Sequence, residues 1–502
     1  MTTIKPYAAR LAHIAILFAI GCGCPAIARA QSLSDLVAAC DRAAATPSDK
    51  SLPAGVVGVA ADKIDADTAI AACQAAANAS PDDARMTMQL GRAYLAAKDY
   101  DAARMQFDRA KRMGNAIATN ALGSFYAEGH GLPQDDVEAL RYFQLAADTG
   151  LAVAQSNLAL FYQKGRGGLP KDLVEAARLY QLAADQGFAK AQNALGFFYQ
   201  NGLGGLAKDD SEALRLYLLA AAQGNAAAQN NLGVFYQTAR AGFPKDEAKA
   251  VRFYKMAADQ GDAFGQSNLG WYYQEGRGGL AKNDVEAARL YKLSADKGNP
   301  GGQTRLGFFY ERGRGGLPKE EAEAARLYQL AADQNYAAGQ SNLGLLYRDG
   351  RGGLAKDERE ALRLLRLAAD QGLSGAQDNL AYFYQDGLGG LAKDEREALR
   401  LFRLAADQGN TYAINSIGYY YQEGRAGLTR DEHEAALYYK KAADLGNAPA
   451  QYNLATYYHQ GRGGLAKNET EAARLFKLAA DQGNAGAQTA LNGLNKSRRA
   501  PT

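Results

Sequence analysis

A period of 37 residues governs most of this chain. Gln155, Gln192, Gln229, Gln266, Gln303, Gln340, Gln377, Gln451 and Gln488 stand on one 37-residue grid, and Ile414 fills its single vacancy. A tyrosine keeps the same beat at 162, 199, 236, 273, 310, 347, 384, 421 and 458. Tyr126 comes 36 residues before Tyr162, because the loop Gly129-His130-Gly131-Leu132 is one residue shorter. Ten units therefore run from Ala116 to Asn484, one of 36 residues and nine of 37, and residues 485–494 begin an eleventh. Length alone would divide 502 residues into about three domains. A repeat this regular excludes three independent cores and demands one stacked array.

Each unit decodes as two helices. In residues 263–299 the first helix is expected from Phe264 to Glu275, ending at Gly276, and the second from Asn283, ending at Gly298. Asn283 to Glu286 has the form of a capping box, repeated as Asp172 to Glu175, Asp357 to Glu360 and Asp394 to Glu397. Glycine closes the second helix where a left-handed backbone is wanted, and Asn335 replaces it once. Apolar residues recur at i, i+3 and i+4, so a strand reading fails. A lone pair of short helices buries too little surface to offset its ordering entropy. Stacking gives a continuous core, and a constant unit length implies a constant step. The expected fold is all-α, a right-handed superhelical α-solenoid of stacked antiparallel helix pairs with a concave and a convex face.

The recurrent pattern A-x-A-Q-x-N-L-G-x-x-Y-x-x-G-x-G-G-L-x-K-D-x-x-E-A-x-R-L-Y-x-L-A-A-D-Q-G-N resembles the Sel-one-like repeat (SLR) family over residues 116–484. Upstream, residues 82–115 resemble a tetratricopeptide repeat through Leu90, Gly91, Tyr94, Ala103, Phe107 and Ala110. Both resemblances imply a helical superhelix that binds protein partners as an adaptor or scaffold. Some secreted bacterial SLR proteins carry a cysteine pair in every unit; these ten units carry none.

Residues 1–30 read as a secretory signal. Lys5 and Arg10 precede the apolar stretch Leu11 to Ile20, and Ala28-Arg29-Ala30 forms a small-x-small cleavage site. The rival reading is a lipoprotein acylated at Cys22. Export to a bacterial periplasm is expected. The Cys40 and Cys73 left in residues 31–81, on two helical patterns parted by Leu52-Pro53-Ala54-Gly55, are then expected to form a disulfide. Two small buried residues would be the plainer reading. Residues 485–502 read as a capping helix with a basic tail.

The whole chain has 57 Lys and Arg against 54 Asp and Glu, and the excess lies in Lys5, Arg10 and Arg29. From Gln31 onward the charges balance, which excludes a chain-wide basic field for nucleic acid. No later apolar run is long enough to span a membrane. No catalytic residue, cofactor or metal site is expected. The Gly165-Arg166-Gly167-Gly168 loop follows a helix, so it reads as a turn between helices instead of a phosphate loop. Ser294-Ala295-Asp296-Lys297 matches SxxK but has no accompanying SDN or KTG. It keeps open one alternative, a cell-envelope enzyme or binder acting on peptidoglycan or a β-lactam. His130, His433 and His459 fit no metal spacing.

The Leu and Tyr of the L-G-x-x-Y pattern are expected in the core, with the aromatic before the Tyr packed beside them. The residue after L-G or L-A then faces outward: Leu160, Phe197, Val234, Trp271, Phe308, Leu345, Tyr382, Tyr419 and Thr456. Three residues on stand Gln163, Gln200, Gln237, Gln274, Glu311, Arg348, Gln385, Gln422 and His459. Four residues before stand Ser156, Asn193, Asn230, Ser267, Thr304, Ser341, Asp378, Asn415 and Tyr452. These spacings put three rungs on one helical face. The expected site is a trough for a polypeptide, with Phe197, Trp271, Phe308, Tyr382 and Tyr419 as anchors and Gln200, Gln274, Gln385, Gln422, Asn193 and Asn230 clasping its backbone. The competing reading makes the aromatic stripe core. A lysine ladder in the loops, from Lys171 to Lys467, reads as a solvated edge with an anionic ligand as the alternative.

Overall fold

The computed structural model describes residues 32–499 apart from 48, 241 and 243, with side chains to residue 494. The expected leader over 1–30, with Cys22, lies outside the described residues. Among those described, twenty-five α-helices and two short 3-10 turns follow one another without a strand. Within each of two compact units, successive helices pack against one another, which is the repeating stack of pairs that the period requires. The chain divides into two compact units after Lys171, between helices Ala152–Lys164 and Leu173–Asp185.

The N-terminal unit opens with helices Leu33–Ala44 and Ala66–Ala79, joined by the Cys40–Cys73 disulfide. Beside it the buried Asp41 carboxylate accepts from Arg85 Nη1 at 3.0 Å and Gln89 Nε2 at 2.9 Å. Arg92 donates to the carbonyls of Ala44 and Val59, and burial pushes its guanidinium down to about 10. The next pair, Ala84–Ala96 and Tyr100–Arg112, closes on Gly91, where a Cβ would stand 2.7 Å from the Phe107 ring.

In the C-terminal unit the α-helices up to Asp481 are 13 residues long, about 20 Å each, and the last, Ala485–Arg499, has 15. First helices end on a left-handed glycine such as Gly202, Gly276 or Gly350. Second helices begin on Asp or Asn caps whose side chains accept the second- or third-residue N–H, except Glu321–Asp333, where Glu320 makes no such bond. The expected capping box is only half formed. Glu286, Glu360 and Glu397 turn instead to Arg289, Arg363 and Arg400, with contacts of 2.6–2.8 Å. The reason is that the cap's own N–H is already donated to the first helix: Asn283 to the Tyr273 carbonyl, Asp357 to Tyr347 and Asp394 to Tyr384. The guanidinium fork is the better remaining donor.

The core differs from the expectation at one ring. Leu195, Leu232, Leu269 and their equivalents are buried, but the tyrosine of the 37-residue grid is only half-buried. The residue before it is the core one: Phe198, Phe235, Tyr272, Phe309, Leu346, Phe383, Tyr420 and Tyr457. A second-helix tyrosine takes the remaining volume. Tyr217, Tyr254, Tyr291 and Tyr328 lie on Gly196, Gly233, Gly270 and Gly307 so closely that a Cβ would stand 2.5–2.9 Å from the ring. The grid tyrosines are displaced outward, where Tyr236 stacks on Phe253 and Tyr421 on Tyr438.

Two devices tie the helices of the stack. The first is the glutamine grid itself. Gln192, Gln229, Gln303, Gln340, Gln377 and Gln451 are buried and accept from a glutamine 31 residues on, Gln223, Gln260, Gln334, Gln371, Gln408 and Gln482, at 2.7–2.9 Å. Gln192, Gln377 and Gln451 also donate to the preceding second helix, at the carbonyls of Ala184, Ala369 and Ala443. Where Ile414 breaks the grid, the residue 31 on is Leu445, so both partners turn apolar together. Gln266 has no such compensation. Lys297 stands opposite, its ammonium goes to the Gly261 carbonyl, and Gln266 Oε1 is buried without a partner.

The second device is a loop arginine that reaches back 30 residues to the first turn of the preceding second helix. It pairs Arg277 with Glu247, Arg314 with Asp284, Arg351 with Glu321, Arg425 with Glu395 and Arg462 with Glu432. In the N-terminal unit Arg166 pairs with Asp136 in the same way. The helix N-terminus adds to the attraction. Glu247, Glu321 and Glu432 each face a second cation as well and are held down at about 2, chiefly by the arginine.

Unit 226–262 is the irregular one. Ala239 takes the left-handed cap at φ +55°, a strained position for a residue with a Cβ. Ala241, where other loops carry a second glycine such as Gly204 or Gly278, lies outside the described residues.

Three outcomes follow. Lys297→Gln supplies the missing amide and raises stability by about 1 kcal/mol, read from urea unfolding. Ala239→Gly relieves the cap by roughly 1 kcal/mol, and in the parent chain hydrogen exchange is faster across 226–262 than in 337–373. The arginine pairs stabilise fully above the ordinary glutamate range, near pH 4.5, and that contribution is lost as pH falls toward 2. A Glu247→Gln, Glu321→Gln, Glu432→Gln chain is therefore less stable at pH 7 and flatter in its acid unfolding profile over that interval.

Candidate peptide-binding face

The three rungs lie on the first helices, and the structure gives each a different environment. The middle rung stands outside the core. Phe197 and Tyr419 are 44% and 42% exposed, and Val234, Trp271, Phe308, Leu345, Tyr382 and Thr456 are half-buried. Leu160, in the N-terminal unit, is half-buried too. The aromatic that does fill the core is the next residue along, as with Phe198 after Phe197.

Arginines flank several of these rings. Arg277 lies 5.0 Å over Trp271, Arg312 and Arg314 lie 5.7 and 5.9 Å over Phe308, and Arg425 lies 5.6 Å over Tyr419. Arg277, Arg314 and Arg425 are the joint arginines, so the same guanidinium that ties two repeats also braces a ring. Tyr382 has no such neighbour, because Leu388 stands at the arginine position; its hydroxyl instead meets Ser416 Oγ at 2.8 Å.

The upper rung is half-buried and its oxygens are engaged. Gln200 Oε1 accepts the hydroxyl of Tyr217 at 3.0 Å, Gln274 that of Tyr291 at 2.9 Å, and Gln385 that of Tyr420 at 3.1 Å. Gln422 accepts from both Tyr439 and Tyr457 at 3.1 Å. These amides satisfy core tyrosines. The nitrogens of Gln274, Gln385 and Gln422 rest on the adjacent exposed carboxylates Glu275, Asp386 and Glu423.

The lower rung forms the floor. Asn230, Ser267, Thr304, Ser341 and Asp378 are buried, and Asn193 and Asn415 are half-buried. Asparagines of the following repeat bridge to it. Asn231 donates to Asn193, Asn268 to Asn230 and Asn453 to Asn415, each at 2.9 Å. Asn193 and Asn230 therefore spend an oxygen on holding neighbouring first helices together. What remains open on this face is mainly aromatic surface.

Asp378 breaks the ladder. The residue that would bridge to it is Ser416, which faces Tyr382 instead, and Asn379 turns to the Gly375 carbonyl. Asp378 Oδ1 is buried without a partner, and burial pushes the carboxyl up to about 7.

The other sequence candidates have structural partners. Ser294 is fully buried and its hydroxyl donates to the Ala263 carbonyl at 2.6 Å. Of the lysine ladder, Lys245, Lys319, Lys356 and Lys467 pair with Glu247, Glu321, Glu358 and Glu469. His459 Nδ1 lies 2.9 Å from Glu469, and His130 stacks on Tyr100. Among the described residues no group of His, Cys, Asp and Glu could hold a metal ion, and no helix is long and apolar enough to cross a membrane.

The Sel1 repeat model matches ten consecutive segments, 116–151, 152–188, 189–225, 226–262, 263–299, 300–336, 337–373, 374–410, 411–447 and 448–484. A solved structure from uropathogenic Escherichia coli, described as a protective antigen displaying an SLR fold, is 31% identical; the match covers 85% of this chain and 90% of that one, with a TM-score of 0.49. A Sel1 repeat protein from Oxalobacter formigenes is 32% identical over 49% of this chain and 96% of its own, with a TM-score of 0.43. No curated protein matches. Repeats of this kind generally mediate protein–protein interaction. Ten matched segments over residues 116–484, on the same grid that the buried glutamines and joint arginines keep, place the chain in the Sel1 repeat family.

Proposed function

We propose that the chain is an exported interaction scaffold whose first-helix face takes a polypeptide segment. The observation that carries this reading is the middle rung: a row of large rings kept out of the core, several of them braced by arginines that are already charge-neutralised. Such rings lose little entropy on contact and suit apolar side chains of a bound segment. The amide rungs contribute less than their composition suggests, since their oxygens serve internal partners. The Cys40–Cys73 disulfide supports a life in an oxidising compartment. Ser294, with its hydroxyl committed to a backbone carbonyl, offers nothing to an acyl-transfer reading.

The test uses peptides selected against the chain from a random display library. Replacing Phe197, Trp271 and Phe308 by alanine weakens their binding by ~2 kcal/mol or more while the helical circular dichroism is unchanged. Retained affinity rules out this trough; loss of helicity makes the rung structural. Export is checked by fractionation and by a non-reducing gel shift that Cys73→Ser abolishes.

Asp378 gives a second readout on the floor of the trough. Its raised value means that the folded chain holds the proton more tightly than the unfolded one. Its contribution is complete below about pH 4 and is lost as pH rises toward 7. Asp378→Asn removes this slope and leaves the chain about 2 kcal/mol more stable at pH 8 than the parent, read from thermal unfolding.

A further inference from the structure

Two clefts with the same chemistry lie one repeat apart on the second helices Glu358–Asp370 and Glu395–Asp407. The first, about 470 Å³, is lined by Arg359, Arg363, Arg366, Leu362 and Leu367. The second, about 350 Å³, is lined by Arg396, Arg400, Arg403, Leu399, Leu404 and Leu428. Their walls include the loop of the next repeat, where Arg396 lies against Gly427 and Arg359 against Gly390. No other repeat carries this set. At the place of Arg359 and Arg396 the other eight second helices have Val137, Val174, Ser211, Ala248, Val285, Ala322, His433 and Thr470.

The charges in the clefts are unevenly used. Arg363 and Arg400 pair with Glu360 and Glu397, and Arg366 donates to the Tyr384 hydroxyl at 3.1 Å. The side chains of Arg359, Arg396 and Arg403 make no hydrogen bond or ion pair among the described residues. Three unpaired guanidiniums thus stand over a leucine floor in two consecutive repeats of a chain whose charges otherwise balance.

We propose that these two clefts together bind an acidic polypeptide segment, its carboxylates on Arg359, Arg396 and Arg403 and its apolar side chains on the leucines between. A guanidinium fork matches a carboxylate through two parallel bonds. Two clefts of like chemistry one repeat apart suit an extended ligand better than a single small anion. A nucleic acid would want a longer basic track, and here the flanking loop cations Lys356, Arg425 and Arg430 are already paired. An anionic membrane would want a row of large protruding apolar anchors, whereas here Leu362 and Leu399 are buried and each cleft exposes only one leucine, Leu367 or Leu404. The site lies on the second helices, so it stands or falls independently of the first-helix trough.

The test titrates the full chain with a fluorescein-labelled peptide of repeated Glu-Leu-Glu triplets. Saturable binding is expected, weakened by salt and reduced about tenfold or more in the Arg359→Gln, Arg396→Gln, Arg403→Gln chain. Arg359→Gln alone, which touches only the first cleft, gives an intermediate loss. Arg178→Gln, which removes an exposed arginine elsewhere, leaves binding unchanged. Circular dichroism confirms that each variant is folded. The proposal is overturned by any of four results: no saturable binding by the parent, equal binding of a Gln-Leu-Gln peptide, an equal loss in Arg178→Gln, or unaltered binding by the triple variant. It is also overturned if oligodeoxythymidine or phosphatidylglycerol–phosphatidylcholine vesicles bind through these arginines while the acidic peptide does not.

Discussion

In the C-terminal unit a tyrosine ring of the second helix lies on a glycine of the first: Tyr217 on Gly196, Tyr254 on Gly233, Tyr291 on Gly270, Tyr328 on Gly307 and Tyr439 on Gly418. The hydroxyl of each then reaches a side-chain oxygen one turn further along the first helix, such as Gln200, Gln237 or Glu311. The ring is thus held at both ends, and no Cβ fits beneath it. Ala381 and Ala455 occupy the glycine position in two repeats, and 21 residues on stand Phe402 and Phe476. A phenylalanine has no hydroxyl to anchor and is free to shift off a methyl group. This contact fixes the distance between paired helices, and with it the place of every other residue in the repeat.

Pressed against the first helix, that tyrosine fills the space that the grid tyrosine was expected to take. The grid residue moves to the flank and its predecessor turns inward. The middle rung, next again along the helix, is left on the open side. The aromatic row is therefore a by-product of core geometry that stays available for contact. The amides around it are tethered by the same geometry, since a buried phenol needs an acceptor and the upper rung provides it.

The fold was legible because a strict period leaves few alternatives. Helix ends, the left-handed Asn335, the Asn and Asp caps and the Cys40–Cys73 pairing all follow from local chemistry. What the period hides is how side chains bond within a repeat and from one repeat to the next. The buried glutamines are conspicuous on the 37-residue grid, yet their partners lie 31 residues away. The joint arginines form a grid of their own in the loops, and the glycine-rich context drew the reading toward turns. Register on the helix separates the outward Phe197 from the core Phe198, but only the position of the facing tyrosine shows that Tyr199 is displaced from the core. Asp378 could be noticed as the sole acid in its rung, but its isolation depends on where Ser416 and Asn379 point.

The arginine joints also bear on how such an array can change length. Glutamine pairs such as Gln192–Gln223 lie within one repeat and travel with it, whereas arginine pairs cross from one repeat to the next. Where the loop residue is Leu203, the position 30 residues back is Leu173, not an acid. Loss of repeat 374–410 would bring Arg425 to Glu358 and preserve a charge pair. Loss of repeats 189–225 and 226–262 together would set Arg277, now paired with Glu247, against Leu173 and strand a cation at the seam. Repeats that look interchangeable are thus ordered by their edges, and recombination between them is permitted at some seams and penalised at others.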